Sequence, residues 1–507
     1  MAWNVGSNFL SLAVALTFLI LLWKAVNYLF SKSDIPSPKG DWFIIGHLLE
    51  IRKSKDMMQT FDEWVKAYGP IIRFRPLGIF GKTFHIISDA DALKQILVSN
   101  SFKYERSSDF FKMFLPTRHV FLANGKEHFR MRKMLNPAFK VNNLKSMVEC
   151  LQEKANSLAE YWENKIEMMS QNSDRKESRL PVQNDLTRLA LDALGECVFG
   201  YDFDTIKSGD SALSLAFTNL FSGVNQGVSS LTQLLVNYFP FLKWRIESLK
   251  KRRAGIEIIT KLMKQVIQDK IDKKIEQKTA QKDLLDLLLE AVDDETGKGM
   301  DEEELFSQIF IFLFAGHETS AVSMSWMLYF LAQNPDVQKR LRQEVEVTLN
   351  EKEECWETYD SMEYLTAVVN ESLRLRPSAP VYRRQVIQED NILGYKIPAG
   401  SMVVIPLYAL HRKPEYWSDP ETFNPERFLE PNMQNNPNHR YAFMPFSSGP
   451  RICIGYRFAL MEIKVVLSAL IRRFSFLMIP GMSFEGSMSV TYKPKPNMEL
   501  LVRKITE

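Results

Sequence analysis

The sequence predicts a mainly helical protein with a smaller β-rich lobe, carried behind one N-terminal transmembrane helix. Three observations lead there. Helical periodicity dominates from about residue 140 to 350. From about residue 41 to 90, aromatic and β-branched runs alternate with Gly and Pro. Ahead of both, Phe9 to Trp23 is an apolar run broken only by Ser11 and Thr17.

That run extends to Phe30 once Lys24 is allowed at its boundary. Roughly 20 apolar residues span a bilayer core as a helix. Lys24 is placed to snorkel, and Trp23 and Tyr28 suit the membrane interface. A cleaved signal peptide would need a basic start, but residues 1–8 hold no Lys or Arg. Lys24, Lys32 and Lys39 follow the run, which leaves the bulk of the chain in the cytosol. Residues 1–30 are therefore expected to be an anchor, residues 31–40 a hinge stiffened by Pro36 and Pro38, and residues 41–507 the folded domain.

Within the domain, Ile71–Phe74 and Thr83–Ile87 read as strands. Lys250 to Lys282 is dense in Lys, Glu and Asp at helical spacing and reads as a pair of solvated surface helices. Beyond Pro377 the chain turns irregular, with short strands near Val403–Leu407 and Tyr492, and then helical again from Tyr456 to Phe474.

Composition excludes several functions. A formal charge of +3 over 507 residues, with no basic domain, argues against nucleic acid as a partner. The four cysteines, Cys150, Cys197, Cys355 and Cys453, form no CxxC pair, so a disulfide framework or a Cys-rich zinc site is not expected, and a reducing compartment is. His317-Glu318 has Ala321 where a zinc-protease helix needs its second His. No GxGxxG stands at a strand–helix junction, so electrons for any redox reaction would come from another protein. With 34 Phe, 9 Trp and 22 Met, apolar side chains are available to line a greasy cavity.

The chemistry concentrates in Phe446-Ser447-Ser448-Gly449-Pro450-Arg451-Ile452-Cys453-Ile454-Gly455. Most single cysteines are small buried hydrophobes. This one differs: Gly449 and Gly455 permit a tight turn, Arg451 can pair with an anion, and the helical pattern from Tyr456 puts the sulfur at a helix N-terminus. The dipole there favours thiolate, the form that binds metal. Upstream, residues 305–314 are apolar nearly all round and lead into Ala315-Gly316-His317-Glu318-Thr319-Ser320. Gly316 inside such a helix suggests a close approach to its backbone, and Thr319 can hydrogen-bond the Ala315 carbonyl. Glu371 and Arg374 share one helix face among Leu365, Val368, Val369, Leu373 and Leu375, before Pro377.

Together these segments resemble the cytochrome P450 family, over residues 36–507. The loop of Phe446, Gly449, Arg451, Cys453 and Gly455 looks like the family's haem-binding loop, which makes Cys453 the axial iron ligand. Ala315 to Ser320 resembles its oxygen-binding helix; the resemblance implies that Glu318 and Thr319 deliver protons and that Ala315 borders the substrate pocket. Glu371 and Arg374 look like its ExxR motif, completed by Arg427 in Pro425-Glu426-Arg427-Phe428, with a structural role. Arg132, Arg384 and Arg451 match the family's haem-propionate arginines. His128 stands where the family often has Trp four residues before that first arginine, and is expected to contact haem as well. Asp192 to Gly200 resembles a helix end common in eukaryotic members. Phe110, Phe111, Phe114 and Leu115 fall in the region that contacts substrate in relatives.

The resemblance implies a haem-thiolate monooxygenase that uses haem b and inserts one oxygen atom of O2 into a lipophilic substrate: a fatty acid, steroid, terpene or xenobiotic. It fits the microsomal class, in the endoplasmic reticulum membrane. Electrons would come from NADPH through NADPH–cytochrome P450 reductase, with cytochrome b5 as a further donor. Lys133, Arg440 and Arg457 are candidate contacts for that partner. Two rivals stand beside this reading: a haem-thiolate isomerase or dehydratase acting on an oxidised lipid, which would need no proton relay, and a non-catalytic haem-binding protein.

Overall fold

The computed structural model describes residues 33–54, 56–107, 111, 115–170, 177–209, 215–217, 247–276, 283–429 and 439–505, with five isolated positions between 15 and 26. Nearly all of the apolar run Phe9–Phe30, and both Phe110 and Phe114, lie outside these residues. The chain divides into two compact units, residues 1–105 with 381–410, and residues 106–380 with 411–507.

The smaller unit is the β-rich one. Strands Ile71–Phe74, Phe84–Ile87, Met402–Pro406, Val381–Val386 and Tyr104–Glu105 form, in that order, one five-stranded sheet. Its central pairing, Phe84–Ile87 with Met402–Pro406, is parallel, which joins chain segments about 320 residues apart. The two strands read from sequence near 71 and 83 are present, the second beginning at Phe84. Helix α1 (Met57–Tyr68) covers the sheet. Asp56 caps it by accepting from the Met58 N–H, and Met58, Phe61 and Val65 repeat at helical spacing to bury one face. Asp390 ties the far edge together, accepting from Asn100, Lys103 and Tyr104.

The larger unit is helical. Its main helices are α2 (Gly125–Leu135), α3 (Val148–Ser170), α4 (Val182–Phe199), α5 (Glu247–Glu276), α6 (Glu302–Gln333), α7 (Pro335–Glu351), α8 (Glu363–Leu375) and α9 (Tyr456–Arg473). Helix α6 is the axis of the core. Asp301 caps it through the Glu304 N–H, and almost every side chain from Leu305 to Leu331 is buried. It is long and apolar enough to cross a membrane, but its burial makes it a core helix. Helix α4 packs along it and ends at Gly200, whose left-handed backbone lets its N–H bond the Glu196 carbonyl. Asp192 then fixes the following turn, accepting from the Thr205 and Ile206 N–H groups. Helix α8 stops at Leu375, two residues before Pro377, as the proline demands. A three-stranded sheet (Ser178–Leu180, Leu500–Lys504, Phe474–Leu477) and the hairpin Glu485–Met488/Tyr492–Lys495 complete the unit.

Two expectations are corrected. Where a pair of surface helices was expected, the described residues up to Glu276 form the single helix α5, and it buries Ile259, Met263, Val266 and Ile267. Charge density hides an apolar stripe at i, i+4, i+7 and i+8. No disulfide was expected, yet Cys150 on α3 and Cys197 on α4 are joined, with Cα atoms 5.8 Å apart. Neighbouring helices bring together residues 47 apart in sequence, which sequence spacing cannot reveal.

Candidate active site

The cysteine loop is shaped by its backbone. Ser447 and Gly449 both take positive φ, 65° and 68°. The Cys453 N–H then donates to the Phe446 carbonyl at 2.9 Å, and the Ile452 N–H to Gly449 at 3.0 Å. Gly449 is thus required by backbone conformation. Gly455 is not: its φ is −91°, and a Cβ there would meet only Phe139, at 3.9 Å. Helix α9 starts just beyond, with Gly455 at its N-cap.

The loop is held from behind by a buried ionic core. Glu371 and Arg374 are both fully buried on α8. Arg374 donates Nε to Glu371 Oε2 at 2.7 Å and Nη2 to Oε1 at 2.8 Å. Arg427 Nε reaches the same Oε1 at 3.3 Å, and the Asn424 N–H at 2.8 Å. The remaining Arg374 N–H groups go to the carbonyls of His411, Pro420 and Thr422. His411 links this core to the loop: its Nδ1 bonds the Arg374 carbonyl at 3.2 Å, and its Nε2 accepts from the Met444 N–H at 3.2 Å. Burial, with Arg374 and Arg412 adding to it, pulls the His411 pKa down to about 3, so the ring is neutral and can accept. Nothing in the sequence around His411 signals this role.

Two guanidinium groups, Arg132 and Arg106, act on the cysteine, and Arg451 is tied to Arg106 through Asn124. Arg132 on α2 donates Nη1 to the Ile452 carbonyl at 2.7 Å and Nε to Asn136. Arg451 Nη2 donates to Asn124 Oδ1 at 2.6 Å. Asn124 also takes the Arg106 N–H at 3.0 Å and returns Nδ2 to the Arg106 carbonyl. Arg106 is absent from the sequence-based set. Only its fold neighbours reveal it, because it lies far upstream of any motif. Burial pushes the Cys453 thiol pKa up, whereas the Gly455 N–H, Arg132 and Arg106 pull it down. Yet the Cys453 side chain is exposed.

Helix α6 carries a partly open face. Between Ser307 and Leu328 every residue is buried except Phe312, Ala315, Gly316 and Thr319. These positions are i, i+3, i+4 and i+7, one face of the helix. Phe312 meets Phe139 ring to ring at 5.3 Å, and a Cβ on Gly455 would meet Phe139 at 3.9 Å, so the Phe312 end of this face lies toward the cysteine loop. The Thr319 hydroxyl donates to the Ala315 carbonyl at 2.7 Å. The close approach implied by Gly316 is made by Leu194 of α4: a Cβ on Gly316 would stand 2.7 Å from Leu194 Cδ1. Glu318 is buried and ion-paired with Lys493 of the C-terminal hairpin. His317 turns away, bonding Leu313 at 2.7 Å and touching the Phe217 ring.

Of the other expected residues, His128 is buried on α2, one turn before Arg132. Arg384 lies in the smaller unit on strand Val381–Val386; it is buried, one guanidinium nitrogen has no hydrogen-bond partner, and burial lowers its pKa to about 10. Phe111 packs edge-on against Phe121 at 5.1 Å, and Leu115 is in the core. A surface cleft of about 830 Å³ lies elsewhere, between α2 and residues 290–295, with Arg130, Lys133, Asp293 and Asp294 on its rim.

The residues present fit a haem. An exposed cysteine, neighbouring guanidinium groups and a partly open helix face at Ala315 and Thr319 are what an anionic, planar, iron-bearing cofactor requires. Comparison with known proteins agrees. The sequence profile of the family described as Cytochrome P450 matches residues 36–501. Cytochrome P450 3A16 of Mus musculus is 31% identical, over 92% of this chain and 90% of its own. Cytochrome P450 3A7 of Homo sapiens is 32% identical, over 96% and 95%. Cytochrome P450 4B1 of Rattus norvegicus is 30% identical, over 93% and 90%.

Proposed function

The chain belongs to the cytochrome P450 family and is a haem-thiolate monooxygenase, and on that footing we propose that it oxidises a lipophilic small molecule at the Cys453 site with electrons from NADPH through a separate reductase. The substrate class is a fatty acid, steroid, terpene or xenobiotic. Cys453 is the proposed iron ligand. Arg132, Arg384, Arg451 and Arg106 are the cations proposed to hold the propionates, with His128 beside them. Bound haem supplies the iron at which dioxygen is cleaved, and a thiolate ligand favours that cleavage by donating electron density.

The protein's own part is to orient, to exclude water and to move protons. Ala315 is the exposed position on that face of α6, so substrate can approach there. Thr319 carries the one hydroxyl on that face, and its resting bond to the Ala315 carbonyl is a satisfied position from which it can turn. Glu318, paired with the half-exposed Lys493, connects the helix outward. Glu371, Arg374 and Arg427 are structural: they fix the loop through His411 and Met444.

Residues 1–30 are the proposed membrane anchor, residues 31–40 the hinge and residues 41–507 the catalytic domain, seated on the cytosolic face of the endoplasmic reticulum. Reductase, and cytochrome b5 beside it, would dock near the cysteine loop. Arg440 and Arg457 are exposed there for such a contact, and Lys133 is half-exposed on α2 in an ion pair with Asp294 at 3.0 Å. An isomerase or dehydratase would have no use for the Thr319 hydroxyl, and that favours the monooxygenase.

The single observation that carries this reading is the exposed Cys453 with Arg132 and Arg106 acting on it and Arg451 held beside Arg106 through Asn124. The test is turnover with reductase, NADPH and a panel of lipophiles first screened by the spectral shift that accompanies displacement of iron-bound water. Oxygenated product with at least one of these classes is expected. NADPH oxidation that never yields product across the panel would refute the substrate assignment.

A further inference from the structure

One covalent feature of the fold has no part in the site described so far. The Cys150–Cys197 bond joins α3 to α4, and these two helices back different halves of the site. Helix α3 packs on α9, the helix that follows the cysteine loop, and Arg473 of α9 donates Nη2 to Asn156 Oδ1 of α3 at 3.0 Å. Helix α4 packs on α6, where Leu194 stands against Gly316 in the turn that carries Thr319. Leu194 and Cys197 are three apart and therefore neighbours on α4. The two ends of the bond differ. Cys197 is buried, whereas Cys150 is only partly so, which makes Cys150 the end nearer solvent. Lys154 lies one turn from Cys150 on the same face of α3. It pairs with Glu196, the neighbour of Cys197 in the chain, and with Asp202 at 3.1 Å. Partial burial works against its charge, but Glu196 and Asp202 outweigh that and raise its pKa. A cation fixed one turn away favours thiolate at Cys150. The ion pairs also hold α3 beside α4 when the bond is open, which keeps the two thiols within reach of each other. A permanent structural bond needs neither feature.

We propose that Cys150 and Cys197 are a redox site of this enzyme, a thiol pair that hydrogen peroxide closes to the disulfide and a small thiol such as glutathione reopens, setting how firmly α4 bears on the Gly316–Thr319 turn. Peroxide arises at a monooxygenase site whenever the two electrons of NADPH reach O2 and no substrate is oxidised. In closure the Cys150 thiolate attacks one peroxide oxygen; the O–O bond breaks, an S–O bond forms and hydroxide leaves. The Cys197 thiol then attacks the Cys150 sulfur, the S–S bond forms, the S–O bond breaks and the Cys197 proton leaves with that oxygen as water. With one proton from solvent for the hydroxide, two thiols have given two electrons and one peroxide has become two waters. In opening, a glutathione thiolate attacks the Cys150 sulfur and releases Cys197, which takes a proton. A second glutathione displaces Cys150 from the mixed disulfide and leaves as oxidised glutathione, so the two electrons return to the protein.

Two measurements on the full-length holoenzyme test this. The first follows the thiols as purified, after millimolar reduced glutathione, and after hydrogen peroxide is added to the reduced form. Free thiols are trapped with a maleimide in denaturant and mapped by mass spectrometry, with Cys355, outside the bond, as the labelling reference. Cys150 and Cys197 should each gain one label with glutathione and lose it with peroxide, with haem content unchanged. Lys154→Gln should slow closure by peroxide several-fold. The second measurement is amide hydrogen exchange. Residues 190–199 and 314–320 should exchange faster in the reduced than in the oxidised wild type. In a Cys150→Ser/Cys197→Ser double variant, glutathione should change neither segment. A bond that millimolar glutathione leaves closed is purely structural and overturns the proposal. So do thiols that peroxide oxidises without joining them, and exchange that is the same in both segments whether the bond is open or closed.

Discussion

Replacing Glu371 by Gln should remove a large part of the stability of the helical unit. Glu371 accepts from Arg374 Nε and Nη2, from Arg427 Nε and from the Asn424 N–H, at 2.7, 2.8, 3.3 and 2.8 Å. Glutamine keeps one oxygen. Its amide nitrogen must take the place of the other, facing a guanidinium N–H, donor against donor. The negative charge between two buried guanidinium groups is also lost. Breaking such a buried pair on one side costs about 3–5 kcal/mol. Domains of this kind have about 5–15 kcal/mol in all, so the variant should fold marginally and retain little haem. The assay is urea unfolding followed by Trp fluorescence, with haem content measured in parallel. The expected result is a lower midpoint at an unchanged slope. A loss under about 1 kcal/mol, the range of an exposed ion pair, would refute the claim that this core holds the loop.

Gly316→Ala adds a methyl group 2.7 Å from Leu194 Cδ1. Alanine gains about 1 kcal/mol in helix propensity, but overpacking costs about 1–3 kcal/mol, so coupling to Leu194→Ala of about 1–2 kcal/mol is expected in a double-mutant cycle; strict additivity would contradict it. Thr319→Ala should leave haem content near normal and divert NADPH into peroxide, whereas Thr319→Ser should not; product formed per NADPH is the readout, and equal coupling in both would reduce the hydroxyl to a helix-backbone role. Glu462 on α9 is fully buried, and burial raises its pKa from 4.5 to about 8, so the folded state keeps a proton that the unfolded state releases between these pH values. Its contribution is full below the lower value and is lost as pH rises through the upper one; wild-type stability should therefore fall more steeply over that range than stability of Glu462→Gln, and parallel curves would contradict the assignment.

Local chemistry makes much of this legible in the amino-acid sequence. The cysteine loop, the ExxR pair and the Thr319 bond to Ala315 each depend on residues a few positions apart, where spacing determines geometry. Strands near 71 and 83 follow from β-branched runs between Gly and Pro. What the sequence hides depends on distant segments meeting. His411 matters because it touches Arg374 and Met444 at once, and Arg106 because Asn124 holds it beside Arg451. Leu194 explains Gly316 only when α4 lies on α6. The Cys150–Cys197 bond likewise needs two neighbouring helices. Helix α5 is hidden for a different reason: its long charged side chains mask a narrow apolar stripe.

The central claim is that Cys453 binds the haem iron as thiolate, and the carbon monoxide difference spectrum of the reduced protein tests it most directly. Two cysteines remain outside the disulfide among the described residues, Cys355 and Cys453. The wild type and Cys355→Ala should both give the red-shifted thiolate-type band, and Cys453→Ala should not. A thiolate-type band that persists in Cys453→Ala, or disappears in Cys355→Ala with the fold intact, would contradict it.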